Sequence, residues 1–216
     1  MKITIREPGS ALTHYIAMTL AMLGAVPLLI KASYSQDIQH VIAMLIFICS
    51  MVLLYGASTL YHSVNLTGKG LKIFKKIDHM MIFVLIAGSY TPVCMLVLDK
   101  ANGYPLLVIV WGTAVLGMLI KMLWINCPKW FSSVIYIAMG WECILVFKPL
   151  LDTLPTGAFL WLLIGGIIYT LGGILYALKI QALDKIHKYF GLHEIFHLFI
   201  MAGSFCHFMF MFLYVA

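Results

Sequence analysis

Charge is what this 216-residue chain has little of: Asp, Glu, Lys and Arg make up 10% of it, and only 8 residues are acidic. A soluble domain is about 25% charged and about 45–50% apolar. Here the apolar fraction is 63%, so a water-facing fold would lack the polar residues to cover itself. No Ser/Pro-rich linker, low-complexity tract or internal repeat interrupts the chain. That leaves one unit over residues 1–216 and gives no support to an inverted-repeat transporter. The five cysteines, Cys49, Cys94, Cys127, Cys143 and Cys206, form no CxxC pair. They read as small buried apolar residues, not as a disulfide frame or a thiolate zinc site. The formal net charge is +6, yet no basic stripe with interleaved aromatics lies outside the hydrophobic runs, so nucleic acid is not expected as a partner.

What the chain does have is hydrophobic length. A helix needs about 20 apolar residues, within a range of about 17–25, to cross the hydrocarbon core. Seven segments qualify: approximately His14–Ile30, His40–Tyr61, His79–Leu98, Pro105–Trp124, Phe131–Phe147, Ala158–Leu178 and Leu192–Val215. They predict an all-α integral membrane protein with seven transmembrane helices. Lys2 and Arg6 before the first run, with Ser33-Tyr34-Ser35 after it, weakly resemble a signal peptide. Further spans follow, so the first run is read as a retained helix. Pro92 is expected to kink the third helix, and Gly165-Gly166 and Gly172-Gly173 to let the sixth pack closely. Trp111, Trp124, Trp130 and Trp161 are placed near the interfaces as a belt, and Lys69–Lys76 reads as a basic loop. Of the 14 Lys and Arg residues, only Lys31, Lys100 and Lys148 fall opposite the N-terminus. The positive-inside rule therefore puts the N-terminus in the cytoplasm and the C-terminus outside.

Ionisable residues inside a membrane are costly, and here they cluster. Ser58 and His62 stand four apart near the end of the second helix. Asp78 and His79 open the third, and His193, Glu194 and His197 open the seventh. Alternating span direction brings all three of these helix ends to the cytoplasmic side. His193 and His197, at i and i+4, share one helix face and could bind one metal with His62 as the third nitrogen. Three protein ligands and a water make the open arrangement of catalytic zinc. Asp78 lies at the depth to hold that water or act as general base, and Ser58 to donate to a developing oxyanion. The bland reading is histidines that hydrogen-bond between helices or sit at an interface, and it is preferred for His14, His40 and His187. His193-Glu194-Ile195-Phe196-His197 also matches H-E-x-x-H, which would make Glu194 the base of an intramembrane zinc protease. The rival reading makes Glu194 an incidental interfacial acid. Glu142 is expected to snorkel outward and His207 to pack.

Several stretches together resemble the hemolysin III family of bacterial membrane proteins, within the progestin and adiponectin receptor group. They are Glu7…Thr13-His14, Ala57 to His62, Lys76-Ile77-Asp78-His79, Ala87 to Pro92, Ala138-Met139-Gly140-Trp141, and His193…His197 followed by Gly203 to Phe208. The resemblance implies a seven-helix protein with a cytoplasmic N-terminus and a zinc ion near the cytoplasmic face. It implies His62, His193 and His197 as ligands, Asp78 reaching the metal through water, and Ser58 beside His62. Receptors of the group commonly carry Gln where this chain has Glu194, which argues against the protease role. The wider group includes alkaline ceramidases, which hydrolyse lipid amides. The function this implies is a zinc-dependent hydrolase of a membrane lipid in the bacterial plasma (inner) membrane, with Asp78 and Ser58 catalytic. Two alternatives stand beside it: a non-enzymatic receptor or sensor with structural zinc, engaged in membrane lipid homeostasis, and a cytolysin or pore.

Overall fold

Hydrocarbon offers no partners to backbone amides, so each apolar run must close its own hydrogen-bond ladder as a helix. The computed structural model describes residues 5–178, 180, 183 and 186–216. Its helices are α1 (Pro8–Ser33), α2 (Ile38–Ser63), α3 (Gly68–Pro92), α4 (Lys100–Leu123), α5 (Lys129–Gly140), α6 (Phe147–Thr153), α7 (Thr156–Leu178) and α8 (Leu192–Phe210). Helices α5 and α6 together make the fifth of seven spans that are long and apolar enough to cross a membrane. Each expected span is present; the seventh has the expected bounds, Leu192–Val215, and the other six are lengthened at one or both ends. Asp37 caps α2 by accepting from Gln39 N–H at 2.9 Å, and Asp99 caps α4 by accepting from Ala101 and Asn102 N–H at 2.8 and 3.0 Å. The third span is lengthened most. Lys69–Lys76, expected as a loop, forms the first turns of α3, in keeping with the good helix propensity of Lys and Leu.

The helices form a ring in which α1 packs on α2, α2 on α3, α3 on α5 lightly, α5 on α7, α7 on α8 and α8 back on α1, while α4 lies mainly against α3. Helix α2 is extensively buried along one face between α1 and α3. Met44, Phe47, Ile48, Met51, Leu54, Tyr55, Ser58 and His62 recur at three- and four-residue spacing, a single stripe turned inward. The stripe ends on the polar pair, so the packing that buries Phe47 and Tyr55 also carries Ser58 and His62 inside. Outward-facing Leu20, Leu23, Val26, Val108, Leu116 and Ile144 stay exposed, as an apolar solvent permits.

The glycines of α7 act largely as expected. A Cβ on Gly165 would come within 2.8 Å of the His207 ring, and one on Gly172 within 2.7 Å of Phe199, both on α8. Gly166 faces open space. Pro92 ends the regular part of α3, and the span continues as a π turn, Val93–Val97. Three expectations need correction. Trp111 sits midway along α4 and donates its indole N–H to Thr91 Oγ1 at 3.1 Å, because a buried indole needs an acceptor; it joins α3 to α4 and is not part of a belt. Cys49 is exposed, unlike Cys94, Cys127 and Cys206. Glu142 does not snorkel: its Oε2 is buried without a hydrogen-bond partner among the described residues, and Lys148 pairs instead with Asp152 at 2.6 Å.

The fifth span is broken where α5 stops at Gly140 and a 3-10 turn, Glu142–Val146, leads into α6. Tyr90 of α3 repairs the break. Its hydroxyl donates to the Gly140 carbonyl at 2.6 Å and accepts from Cys143 N–H at 3.0 Å. Tyr90→Phe would strand both backbone groups away from water, at a cost of about 1–3 kcal/mol. The expected outcome is a thermal midpoint several degrees lower for the purified protein in detergent, with helix content retained. An unchanged midpoint would show that the break is stabilised by something else.

Candidate metal centre

The site lies at the end of the bundle where α2 stops and α1, α3, α5 and α8 start. His62, in the last turn of α2, and His197, in the second turn of α8, are each only 2% exposed, while His193 is half-buried. One nitrogen from each of His62, His193 and His197 lies within 4.8 Å of the others. The Nε2 atoms of His62 and His193 are 3.2 Å apart. Two nitrogens held about 2.0–2.1 Å from a tetrahedral zinc stand a little over 3 Å apart, so this pair already has the spacing that the ion requires.

The outer nitrogens of two of the rings are spoken for. The Glu7 carboxylate pairs with His62 Nδ1, and Thr13 Oγ1 lies 3.0 Å from His197 Nδ1. A proton on the outer nitrogen leaves the Nε2 lone pair facing inward, which is how oxygen partners prepare imidazoles for a metal. Glu7 is in turn held by Arg6 at 3.1 Å and by its own N–H, which donates to the His62 carbonyl at 3.0 Å. The hydrogen bond with His62, helped by the charge of Arg6, outweighs burial and keeps the Glu7 carboxyl below its ordinary range. The donor set therefore fits a borderline cation such as zinc.

Asp78 and Ser58 are buried and line the same cavity as the three histidines. The ion-pairing partner of Asp78 is its neighbour His79, with Oδ2 3.3 Å from Nδ1. All five residues singled out from the sequence thus meet at one cavity. His14 joins them unexpectedly: its ring stacks on His197 with centroids 3.5 Å apart and planes 10° from parallel. Neither His14 nitrogen has a hydrogen-bond partner among the described residues. His40 fits the interfacial reading, at the opposite end of α2, with its Nδ1 3.0 Å from Ser35 Oγ.

Glu194 has a definite structural role. It accepts the Ser10 hydroxyl on one oxygen and Gly191 N–H, at 2.8 Å, on the other. It closes the first turn of α8 as an N3 acid does and ties that turn to α1. With both oxygens committed, it is placed as a cap and not as the base of a protease. A Cβ on Gly9 would run into the Tyr189 carbonyl, so the bare glycine lets α1 approach the segment before α8. The sequence assigns no role to Glu7 and Thr13, and His14, expected as an interhelical hydrogen-bond partner or interfacial residue, instead stacks on His197. The available signal was the spacing of Ser10, His14, Ala17 and Ala21, all buried on one face of α1.

The Haemolysin-III related family profile matches residues 3–208. The chain is 39% identical over 203 residues to the Hemolysin-3 homolog of Bacillus subtilis (strain 168), covering 93% of this chain and 91% of that protein. It is 36% identical over 198 residues to Hemolysin-3 of Bacillus cereus, covering 92% and 86%. It is also 24% identical over 222 residues to Progestin and adipoQ receptor-like protein 1 of Caenorhabditis elegans, covering 94% of this chain and 50% of that protein. The chain belongs to the Haemolysin-III related family and is a multi-pass plasma-membrane protein.

Two variants separate the roles assigned above. Glu7→Gln should weaken zinc retention against a competing chelator by about 10–100-fold, the usual effect of losing an oxygen partner behind a metal-binding His. Glu194→Ala should leave zinc retention unchanged and lower stability by about 0.5–2 kcal/mol, as loss of a cap does. The reverse pattern would exchange the two assignments.

Proposed function

We propose that this Haemolysin-III related protein is a zinc-dependent hydrolase of a membrane lipid, with an amide as the bond considered first. The observation that carries the reading is three imidazoles converging on the wall of a cavity of about 1320 Å³ that continues past Ile82, Leu106 and Leu150 as far as His207. That volume exceeds the roughly 300–1,000 Å³ of ordinary small-molecule pockets, and its deeper wall is largely apolar. A lipid fits such a space with its linkage at the histidines and its chain inward. The positive-inside pattern assigns the histidine end to the cytoplasmic face.

His62, His193 and His197 would hold the ion, and zinc bound there supplies Lewis acidity toward a carbonyl oxygen and toward water. The chain's own residues do the rest. Glu7 and Thr13 keep two imidazoles in the tautomer that leaves Nε2 free. Asp78 takes a proton from water in the cavity and returns it to the leaving group, the two-step duty of a general base and acid. Ser58, one turn before His62, donates its hydroxyl to the carbonyl oxygen as negative charge builds. Burial of these groups excludes bulk water and strengthens each of these interactions.

Metal content decides the premise. Wild-type protein purified in detergent should carry about one zinc per chain, and the His62→Ala/His193→Ala/His197→Ala variant should carry none. Asp78→Asn should keep its zinc and lose lipid hydrolysis by about 100-fold or more, the scale of general-base loss. No metal in zinc-loaded wild type would overturn the proposal. Retained zinc without turnover by wild type on any acyl amide or ester lipid would favour the sensor reading, which uses the same ligands.

A further inference from the structure

A second polar cluster lines the same cavity. Lys121, in the last turn of α4, is 1% exposed. Its ammonium donates to Ser132 Oγ, lies 3.1 Å from Cys127 Sγ, and stands 5.7 Å from the Tyr136 ring centroid. Among the described residues no carboxylate lies within ion-pair distance of it. A buried cation without a counter-ion is strongly disfavoured. The carbonyl end of α4 offsets a little of that cost, and a hydroxyl and a thiol are weak substitutes for an anion. An ammonium has three protons to donate; two are directed at Ser132 and Cys127, leaving one for a ligand.

Two more lysines line the same cavity. Lys75 Nζ reaches Asn126 Oδ1 at 3.5 Å, next to Cys127 in the α4–α5 connection. Lys129 lies over the Tyr176 ring at 4.3 Å, and that ring is 5.7 Å from the ring of His193. Lys75, Lys121 and Lys129 all line the cavity. Burial pushes the Cys127 thiol up, but its hydrogen bonds with Ser132 and Lys121 and the ammonium charge outweigh that and hold it below its ordinary value. The Lys121 ammonium and the Ser132 hydroxyl thus together favour negative charge at this corner.

We infer that Lys121, Ser132 and the neighbouring Lys75 and Lys129 form a headgroup subsite for a lipid ending in a phosphate monoester, beside the three histidines and continuous with the apolar part of the cavity. A single carboxylate would be matched by the buried Lys121 ammonium alone; with Lys75 and Lys129 on the same cavity lining, the corner suits the multiple oxygens and near-double charge of a phosphate monoester. As a substrate class for the histidine centre, the inference rests on the hydrolase reading; as a binding site, it stands without it.

The test uses the full-length, delipidated protein in neutral detergent, titrated by native mass spectrometry with lysophosphatidate, lysophosphatidylcholine, palmitate and inorganic phosphate. Lysophosphatidate should bind at least about tenfold more tightly than the other three. Lys121→Met should lower its affinity by about tenfold or more and leave lysophosphatidylcholine unaffected. Lys75→Gln, at the rim and tolerant of change, should lower it by about threefold. Equal binding by wild type and both variants would overturn the proposal. So would palmitate binding as tightly as lysophosphatidate, which makes the site a carboxylate site, or inorganic phosphate doing so, which makes it a site for a soluble anion. Repeating the titration on the triple-histidine variant separates the two readings. Lysophosphatidate affinity retained there keeps the subsite even if the metal centre fails, and affinity lost in Lys121→Met with zinc retained ties the loss to the ammonium.

Discussion

A polar side chain inside a hydrocarbon slab has only the rest of the protein to bond with, and this one constraint organises the bundle. Single hydroxyls satisfy themselves within their own helices, as Ser89 and Thr91 do on the Leu85 and Ala87 carbonyls at 2.8 and 2.9 Å. Larger polar groups have to reach across. Tyr55 and Tyr169 meet on Ser204 at 2.5 and 2.7 Å, joining α2, α7 and α8. Tyr90 bridges the interrupted ladder of the fifth span. These cross-links hold helices together where the hydrophobic effect cannot, since lipid is as apolar as leucine.

The same constraint explains why the start of α1 matters out of proportion to its length. Arg6, Glu7, Ser10, Thr13 and His14 lie within three turns, and each touches α2 or α8 or a residue that does. Glu7 reaches His62, Ser10 reaches Glu194, Thr13 reaches His197, and Arg6 lies over Tyr61 at 4.3 Å from the ring centroid. His62 and His197 come from distant parts of the chain, and this short segment is what orients both of them. Glu194 completes the clamp by capping α8 and gripping α1 at once. Its place in an H-E-x-x-H string is thus a consequence of helix capping beside two histidines, not of protease chemistry.

Around this clamp the cavity has two chemically different walls. On one side stand imidazoles with a buried carboxylate and hydroxyl, a set suited to a borderline metal and to proton transfer. On the other stand ammonium groups beside a hydroxyl and a thiol, a set suited to an anion. Both share the end of the cavity from which the apolar depth extends. An amphiphile with a charged end and a hydrocarbon tail has the complementary order of groups.

Much of this was readable from the chain alone. Lipid imposes a strict length on apolar runs, so the seven spans could be counted. The i, i+4 geometry of a helix is rigid, so His193 and His197 had to share a face, as did Ser58 and His62. Alternating span direction brought Asp78 to the same end. What the chain alone did not reveal was rotation and partnership. Nothing in the spacing of Glu7, Thr13 and His14 says which helix they meet, because that depends on how α1 turns against α2 and α8. Lys121 counted as one more positive charge on the cytoplasmic side, and only the packing of α4 beside α5 buries it against Ser132. The sequence determined which side chains could share a helix face and a depth, because helix geometry is local. The tertiary structure decided which faces meet, because that is settled by side-chain packing between helices far apart in the chain.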